Sequence, residues 1–200
     1  MSELTPGFRG HRRIESDRVP PGQYLTEDFP VLSAGPTPSI GTDDWTFTVV
    51  AETGERHVWD WRQFAALPQE TPTADIHCVT RWSKLDTTWK GVSIDTLLAE
   101  VDTAADFAVV HTFDGYTTNM PLADITDGQA WVVTGYEGEP LAAEHGGPAR
   151  FLLPHLYFWK SAKWVSGITL HDEDNPGFWE RAGYHDYGDP WLEQRYQSGW

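Results

Sequence analysis

The chain has 200 residues, 40% of them hydrophobic and 14% aromatic, which suits one compact domain with a sizeable core and argues against general disorder. Thirty acidic residues against fourteen basic ones give a formal charge of -16, a field that repels phosphate backbones, so no nucleic acid partner is expected. A single cysteine, Cys78, excludes an internal disulfide, a four-cysteine zinc site and an iron-sulfur cluster held by several thiolates.

Residues 1–40 read as a Pro- and Gly-rich arm laid on the domain, with Pro20-Pro21-Gly22 and Pro36-Thr37-Pro38 as turn or extended signals, and residues 41–200 as the domain itself. Alternation of Trp45, Phe47 and Val49 predicts a strand over 45–50, with a turn at Gly54. A short helix is predicted over 59–67, stopped by Pro68. A strand over 74–80 carries Cys78 near its end, and Ser93 caps a helix running to Val101. Further strands are predicted over 107–113, before the turn pair Asp114-Gly115, and over 130–135, 149–153 and 163–170. Residues 171–200 are acidic, aromatic and irregular. Strands mixed irregularly with short helices give an α+β class. No apolar stretch reaches the ~20 residues of a membrane span, and no secretory core precedes or follows Arg12-Arg13, so no membrane span and a cytoplasmic location are expected. So negative a chain suits a salt-rich cytosol, because the Debye length falls to about 3 Å at 1 M salt.

Residues 77–91, HCVTRWSKLDTTWKG, surround Cys78 with His77, Thr80, Arg81, Ser83 and Lys84. Nearby Arg and Lys lower a thiol's pKa and favour the thiolate that binds soft metals or acts as a nucleophile; an inert buried thiol is the plain alternative. Zinc fits poorly, because adjacent His77 and Cys78 point to opposite faces of a strand and no HxxxH or CxxC pair completes a site. In residues 138–164, the turn His145-Gly146-Gly147-Pro148 lets backbone amides approach a ligand, and amides beside Arg150 suit a phosphate. Lys160-Ser161-Ala162-Lys163 adds two ammonium groups, a hydroxyl and amide donors. All four lysines, Lys84, Lys90, Lys160 and Lys163, fall in two short stretches, which in so acidic a chain points to something negative being held there.

The order HCVTRWSxxDxxWxGV, Phe113-Asp114-Gly115-Tyr116, Gly138-Glu139-Pro140-Leu141, His145-Gly146-Gly147-Pro148-Ala149-Arg150 and Lys160-Ser161-Ala162-Lys163-Trp164 resembles the molybdopterin-binding domain of the sulfite oxidase family. The likeness runs over about residues 45–170. Pro20-Pro21-Gly22-Gln23 and Phe29-Pro30-Val31-Leu32 in the arm are similar to short, cytoplasmic sulfite-oxidase-like oxidoreductases. The resemblance implies a Mo-molybdopterin cofactor, a pterin dithiolene holding molybdenum, with one protein thiolate for which Cys78 is the single candidate. By similarity to a related methionine sulfoxide reductase subunit, it implies cofactor contacts at Thr112, His145, Arg150, Ser161, Ala162 and Lys163. Arg81 is the candidate contact for a substrate anion.

The Cys loop departs from animal and plant sulfite oxidases in having one arginine, and the arm has Pro20-Pro21-Gly22-Gln23 in place of an Arg-Asn-His segment, so sulfite is not implied. Trp82 and Ser83 bring the loop nearer the methionine sulfoxide reductase type. Neither a dimerisation domain nor a CxxCH haem motif is expected, which leaves the electrons to a separate electron-transfer partner. The implied reaction moves one oxygen atom to or from a small-molecule, sulfur- or nitrogen-centred oxo substrate. Two other readings stay open: a metal-free hydrolase using Cys78 with His77 or His145, and a non-catalytic binding module whose partner surface is residues 179–200.

Overall fold

Alternating apolar side chains shape the first sheet of the computed structural model, which describes residues 17–197. Arg12-Arg13 and Trp200 lie outside the described residues. The elements in chain order are β1 (Tyr24–Leu25), β2 (Thr46–Val50), β3 (Arg56–Asp60), α1 (Trp61–Ala66), β4 (Thr73–His77), β5 (Trp82–Ser93), α2 (Ile94–Leu98), β6 (Phe107–Thr112), β7 (Thr117–Pro121), β8 (Trp131–Tyr136), β9 (Glu139–Pro140), β10 (Arg150–Leu152), β11 (Val165–His171) and α3 (Phe178–Arg181). One sheet has the order β3-β2-β11-β6-β7; the other runs β1-β5-β8-β10, with β4 on β5 and β9 on β8. The α+β class holds, with the helices reduced to segments of four to six residues.

In β2, Phe47 and Val49 point into the core while Thr46 faces out, and the core gathers Trp45, Phe64, Val110, Phe151 and Ile168 around them. The helix predicted over 59–67 starts later, because Trp59 and Asp60 complete β3 opposite Phe47 and Thr46. Asp60 then caps α1 in a reciprocal box: Gln63 N donates to Asp60 Oδ1 at 2.7 Å and Asp60 N donates to Gln63 Oε1 at 2.9 Å. Ser93 caps α2 as expected, but α2 stops at Leu98, and Val101 N closes a turn onto Leu98 O.

Sequence patterning missed β5, the longest strand. Lys84, Asp86 and Lys90 interrupt its apolar alternation, because the strand changes partners along its length. Its first half pairs with β4 and β1, its second with β8, and the register shifts between Lys90 and Gly91. A Cβ on Gly91 would come within 2.2 Å of Val132 O, so the shift needs a glycine. The arm reaches the domain through β1, where Tyr24 pairs with Trp82 in parallel.

Candidate cofactor site

The end of β4 and the start of β5 are joined by residues 78–81. Cys78 N donates to Trp82 O at 2.8 Å and Arg81 N donates to Cys78 O at 2.9 Å, while Arg81 takes a φ of 80°, uncommon for a residue bearing a Cβ. Cys78 therefore sits just beyond β4, in the turn, on the wall of a cavity of about 520 Å³. Phe29, Pro30 and residues 32–35 of the arm, Val79 and Thr80 of the same turn, turn 114–116, residues 145, 150, 158–159 and 161–164, and Phe178, Trp179 and Tyr184 form the rest of the lining. The C-terminal segment thus packs against the cavity rather than standing away from it.

Cys78 Sγ accepts a hydrogen bond from Thr80 Oγ1 at 3.1 Å. Burial pushes the Cys78 thiol up, against the opposing pull of Thr80 and the positive charge of Arg195. This corrects the expectation that its sequence neighbours favour the thiolate: the Arg81 side chain is exposed, and Lys84 Nζ donates to Glu27 O in the arm. Without a metal the buried sulfur favours its neutral form, and a metal would drive off the proton on ligation.

The hydrolase dyad is not assembled. His77 Nδ1 is bonded to Ser83 Oγ at 2.8 Å, and burial pushes its pKa down to about 4. His145 stacks flat on Phe29, with ring centroids 3.9 Å apart. Neither ring is hydrogen-bonded to Cys78 among the described residues.

Arg150 opens β10 and is 1% exposed. Nη1 donates to His145 O at 2.8 Å, Nη2 donates to Ser161 O at 2.5 Å, and the guanidinium lies 4.2 Å from the Phe158 ring centroid. No carboxylate among the described residues forms an ion pair with it, and Nε has no hydrogen-bond partner. Burial pushes its pKa down to about 9, which leaves it cationic at neutral pH. His145 Nδ1 is likewise buried without a partner. Lys163 Nζ donates to Leu32 O and to Glu144 O, both at 2.7 Å, and burial together with the Arg150 charge lowers its pKa to about 8. A buried cation without a counter-ion is costly, so this end of the cavity favours an anion.

Cys78, His145, Arg150, Ser161, Ala162 and Lys163 all line the one cavity. Thr112 does not. Its Oγ1 donates to Asp114 Oδ1 at 2.5 Å and is 2.9 Å from Tyr116 O, which fixes the lining turn 114–116. Arg81 is also outside the lining.

Two anion-holding expectations are corrected. The amides of Gly146 and Gly147 donate to Ala143 O and Ala142 O at 3.0 Å, so they close the turn instead of facing a ligand. Gly147 is required by packing, since a Cβ there would lie 2.1 Å from Leu141 O. Lys160 is 0% exposed and holds the protein's own Glu180 at 2.6 Å, with further bonds to Asn119 O at 2.6 Å and Asp186 O at 2.5 Å. Lys90 is an exposed surface residue. Of the lysines, Lys163 alone lines the cavity.

Phe29 and Trp89 stand in stretches that carry the family resemblance, but the sequence did not show that their rings pack together beside the cavity. Phe29 from the arm meets His145, Tyr136, Trp89 and Phe158, with centroids 3.9 to 5.9 Å away. No group of three or more His, Cys, Asp or Glu suited to a metal occurs among the described residues. A soft sulfur beside a buried, unpaired guanidinium and orphaned donors suits a metal carried by an anionic organic group. This chemistry suits a protein that binds an anionic organic cofactor.

The chain matches the oxidoreductase molybdopterin binding domain family over residues 34–179 and belongs to that family, whose cofactor is molybdopterin. It is 43% identical over 185 residues to the uncharacterized oxidoreductase YuiH of Bacillus subtilis (strain 168), covering 91% of this chain and 93% of that protein. Mitochondrial sulfite oxidase of Rattus norvegicus is 24% identical over 220 residues, which cover 90% of this chain and 40% of that protein. The protein-methionine-sulfoxide reductase catalytic subunit MsrP of Pseudomonas syringae pv. tomato is 25% identical over 181 residues, 80% of this chain and 52% of that one. The sulfane dehydrogenase SoxCD of Paracoccus pantotrophus has a similar fold, with a TM-score of 0.62 at 18% identity, covering 69% of this chain and 41% of that chain. No helix among the described residues is long and apolar enough to cross a membrane.

Proposed function

We propose that the protein is a molybdopterin-dependent oxidoreductase of sulfite oxidase type that moves one oxygen atom to or from a small sulfur- or nitrogen-centred oxo compound. Cys78 is its ligand to molybdenum. The observation that carries this reading is the placement of the single thiol and the unpaired Arg150 guanidinium on the wall of one cavity. When bound, the cofactor supplies a two-electron redox couple and the site of oxygen-atom exchange.

The protein's residues bind, orient and shield. Cys78 Sγ gives up its proton on ligation, and the Thr80 hydroxyl donates to the sulfur, stabilising its negative charge. Arg150 offers Nε to an anionic oxygen, while His145 O and Ser161 O fix the plane of its guanidinium. Lys163 adds positive charge and ties Leu32 of the arm to Glu144. Ala162, beside Ser161, receives a hydrogen bond at its carbonyl from Phe151 N at 2.8 Å, which holds this stretch against β10. Thr112 acts through turn 114–116, and the rings of Phe158 and Trp89 cover the buried guanidinium and exclude water from it. Arg81 steers an anionic oxo substrate by its charge. A cytoplasmic location and a separate electron-transfer partner complete the proposal.

Metal analysis and oxidised-pterin fluorescence on protein from a host that makes the cofactor test this reading. Molybdenum and pterin in amounts equal to the protein are expected, with dye-linked turnover of a sulfoxide, N-oxide, chlorate, nitrate or sulfite. Metal-free protein that hydrolyses esters through Cys78 would overturn it.

A further inference from the structure

Gln23 of the arm and Arg195 of the C-terminal segment meet behind the Cys78 loop. Gln23 Nε2 donates to Cys78 O at 2.9 Å, and Arg195 Nη1 donates to Val79 O at 2.6 Å. Arg195 Nη2 also donates to Gln23 Oε1 at 3.3 Å, so each side chain holds both the loop and the other. Both residues are at least nine-tenths buried, and the Arg195 guanidinium lies 4.9 Å from the Tyr157 ring centroid. The residues next to them are in contact as well. Tyr24 N donates to Arg81 O at 2.8 Å, and a Cβ on Gly22, whose φ is +72°, would come within 2.5 Å of Glu193 Oε1. Neither residue lines the cavity, and both lie outside the span 34–179 that matches the family.

We propose that Gln23 and Arg195 form a clamp of positioning residues that fixes the carbonyls of Cys78 and Val79 and thereby aims Cys78 Sγ into the cofactor cavity. The inference rests on the reading of Cys78 as the metal ligand. Its physical basis is the turn itself: Arg81 bends the loop through a left-handed conformation, and with so few internal hydrogen bonds the loop needs outside donors to keep one geometry. A charge-assisted donor to one carbonyl and an amide to the preceding one supply them. Ligation then depends on residues from the two ends of the described chain, which explains their convergence on a loop that neither adjoins in sequence.

The single cysteine makes a clean probe. Maleimide labelling of Cys78 in cofactor-free protein and hydrogen exchange of residues 77–83 report on the loop, and the molybdenum X-ray absorption spectrum of loaded protein reports on the sulfur. Arg195→Met, which keeps an apolar stem over Tyr157, and Gln23→Leu should each speed labelling and loop exchange about tenfold, the effect of one lost charge-assisted or buried hydrogen bond. The double variant should add little beyond either single change, because the two act as a unit. Arg195→Lys should recover part of the loss, and Arg181→Met, at an exposed site in α3, should match the wild type. The absorption spectrum of loaded Arg195→Met should show an altered metal-sulfur distance. If Arg195→Met fails to fold, Gln23→Leu and Arg195→Lys carry the same comparison. Labelling within twofold of wild type in Gln23→Leu, or faster labelling with an unchanged spectrum, would overturn the clamp. An unchanged spectrum in loaded Cys78→Ser would instead overturn the ligand reading, and the labelling of bare protein would still report on the clamp.

Discussion

Replacing Lys160 with Met should destabilise the fold more than any surface change, and the size of the effect follows from its partners. The ammonium group bonds Glu180 Oε1, Asn119 O and Asp186 O, and neither Lys160 nor Glu180 has any solvent exposure. In Lys160→Met, Glu180 Oε1 keeps donors from Thr118 Oγ1 and Trp159 Nε1, both at 2.9 Å, but Oε2 has none and the negative charge has no partner. Removing one member of a buried pair costs about 3 to 5 kcal/mol. At about 2 to 4 °C per kcal/mol for a chain of this size, the thermal midpoint should fall by roughly 6 to 20 °C. Glu180→Gln retains an acceptor for all three donors and should cost less, about 1 to 3 kcal/mol. A Lys160→Met/Glu180→Met double variant should regain much of the loss, because an apolar pair of similar volume avoids desolvating charges. Circular dichroism melts of cofactor-free protein at pH 7 measure all three. A Lys160→Met midpoint within about 2 °C of wild type would refute the reasoning.

Other outcomes follow from the same structure. Burial takes the His77 pKa from 6.5 to about 4, so between those values the unfolded chain binds a proton that the folded chain does not. The His77 contribution is complete above pH 6.5 and lost as pH falls toward 4, a change of roughly 3 kcal/mol, and His77→Asn should flatten urea-unfolding stability across that window. An equal slope in both proteins would remove His77 as the cause. Arg150→Met should bind the cofactor about ten- to hundredfold more weakly under limiting supply, and full pterin occupancy would place the anion elsewhere. With a net charge of -16, the bare protein should melt higher as salt rises from low ionic strength toward about 1 M; a flat response would contradict the salt-adapted reading.

The elements legible in the sequence are those whose surroundings are uniform along their length. Thr46–Val50 keeps one face in the core throughout, so Phe47 and Val49 show a clean period of two. Trp82–Ser93 is buried differently in its two halves and carries a register shift, so its pattern is mixed and gives no strand signal. At the site, residue types survived better than their assigned roles. Cys78, His145, Arg150, Ser161, Ala162 and Lys163 converge on one cavity although they are spread over residues 78–163. Sequence alone did not distinguish Lys160, which is neutralised by Glu180, from Lys163, which is not, because Glu180 approaches from α3. Gln23 stood out only as part of the arm stretch Pro20-Pro21-Gly22-Gln23, with no role attached, and Arg195 gave no signal, since what they do depends on carbonyls that only the folded turn presents to them.

The most direct test of Cys78 as the protein ligand is molybdenum K-edge X-ray absorption on cofactor-loaded wild-type and Cys78→Ser protein at equal occupancy. Ligation through Cys78 predicts one fewer sulfur around the metal in the Ser variant, with an oxygen or nitrogen in its place and activity lost while the fold survives. An identical sulfur count in the two proteins, with wild-type turnover retained, would contradict it.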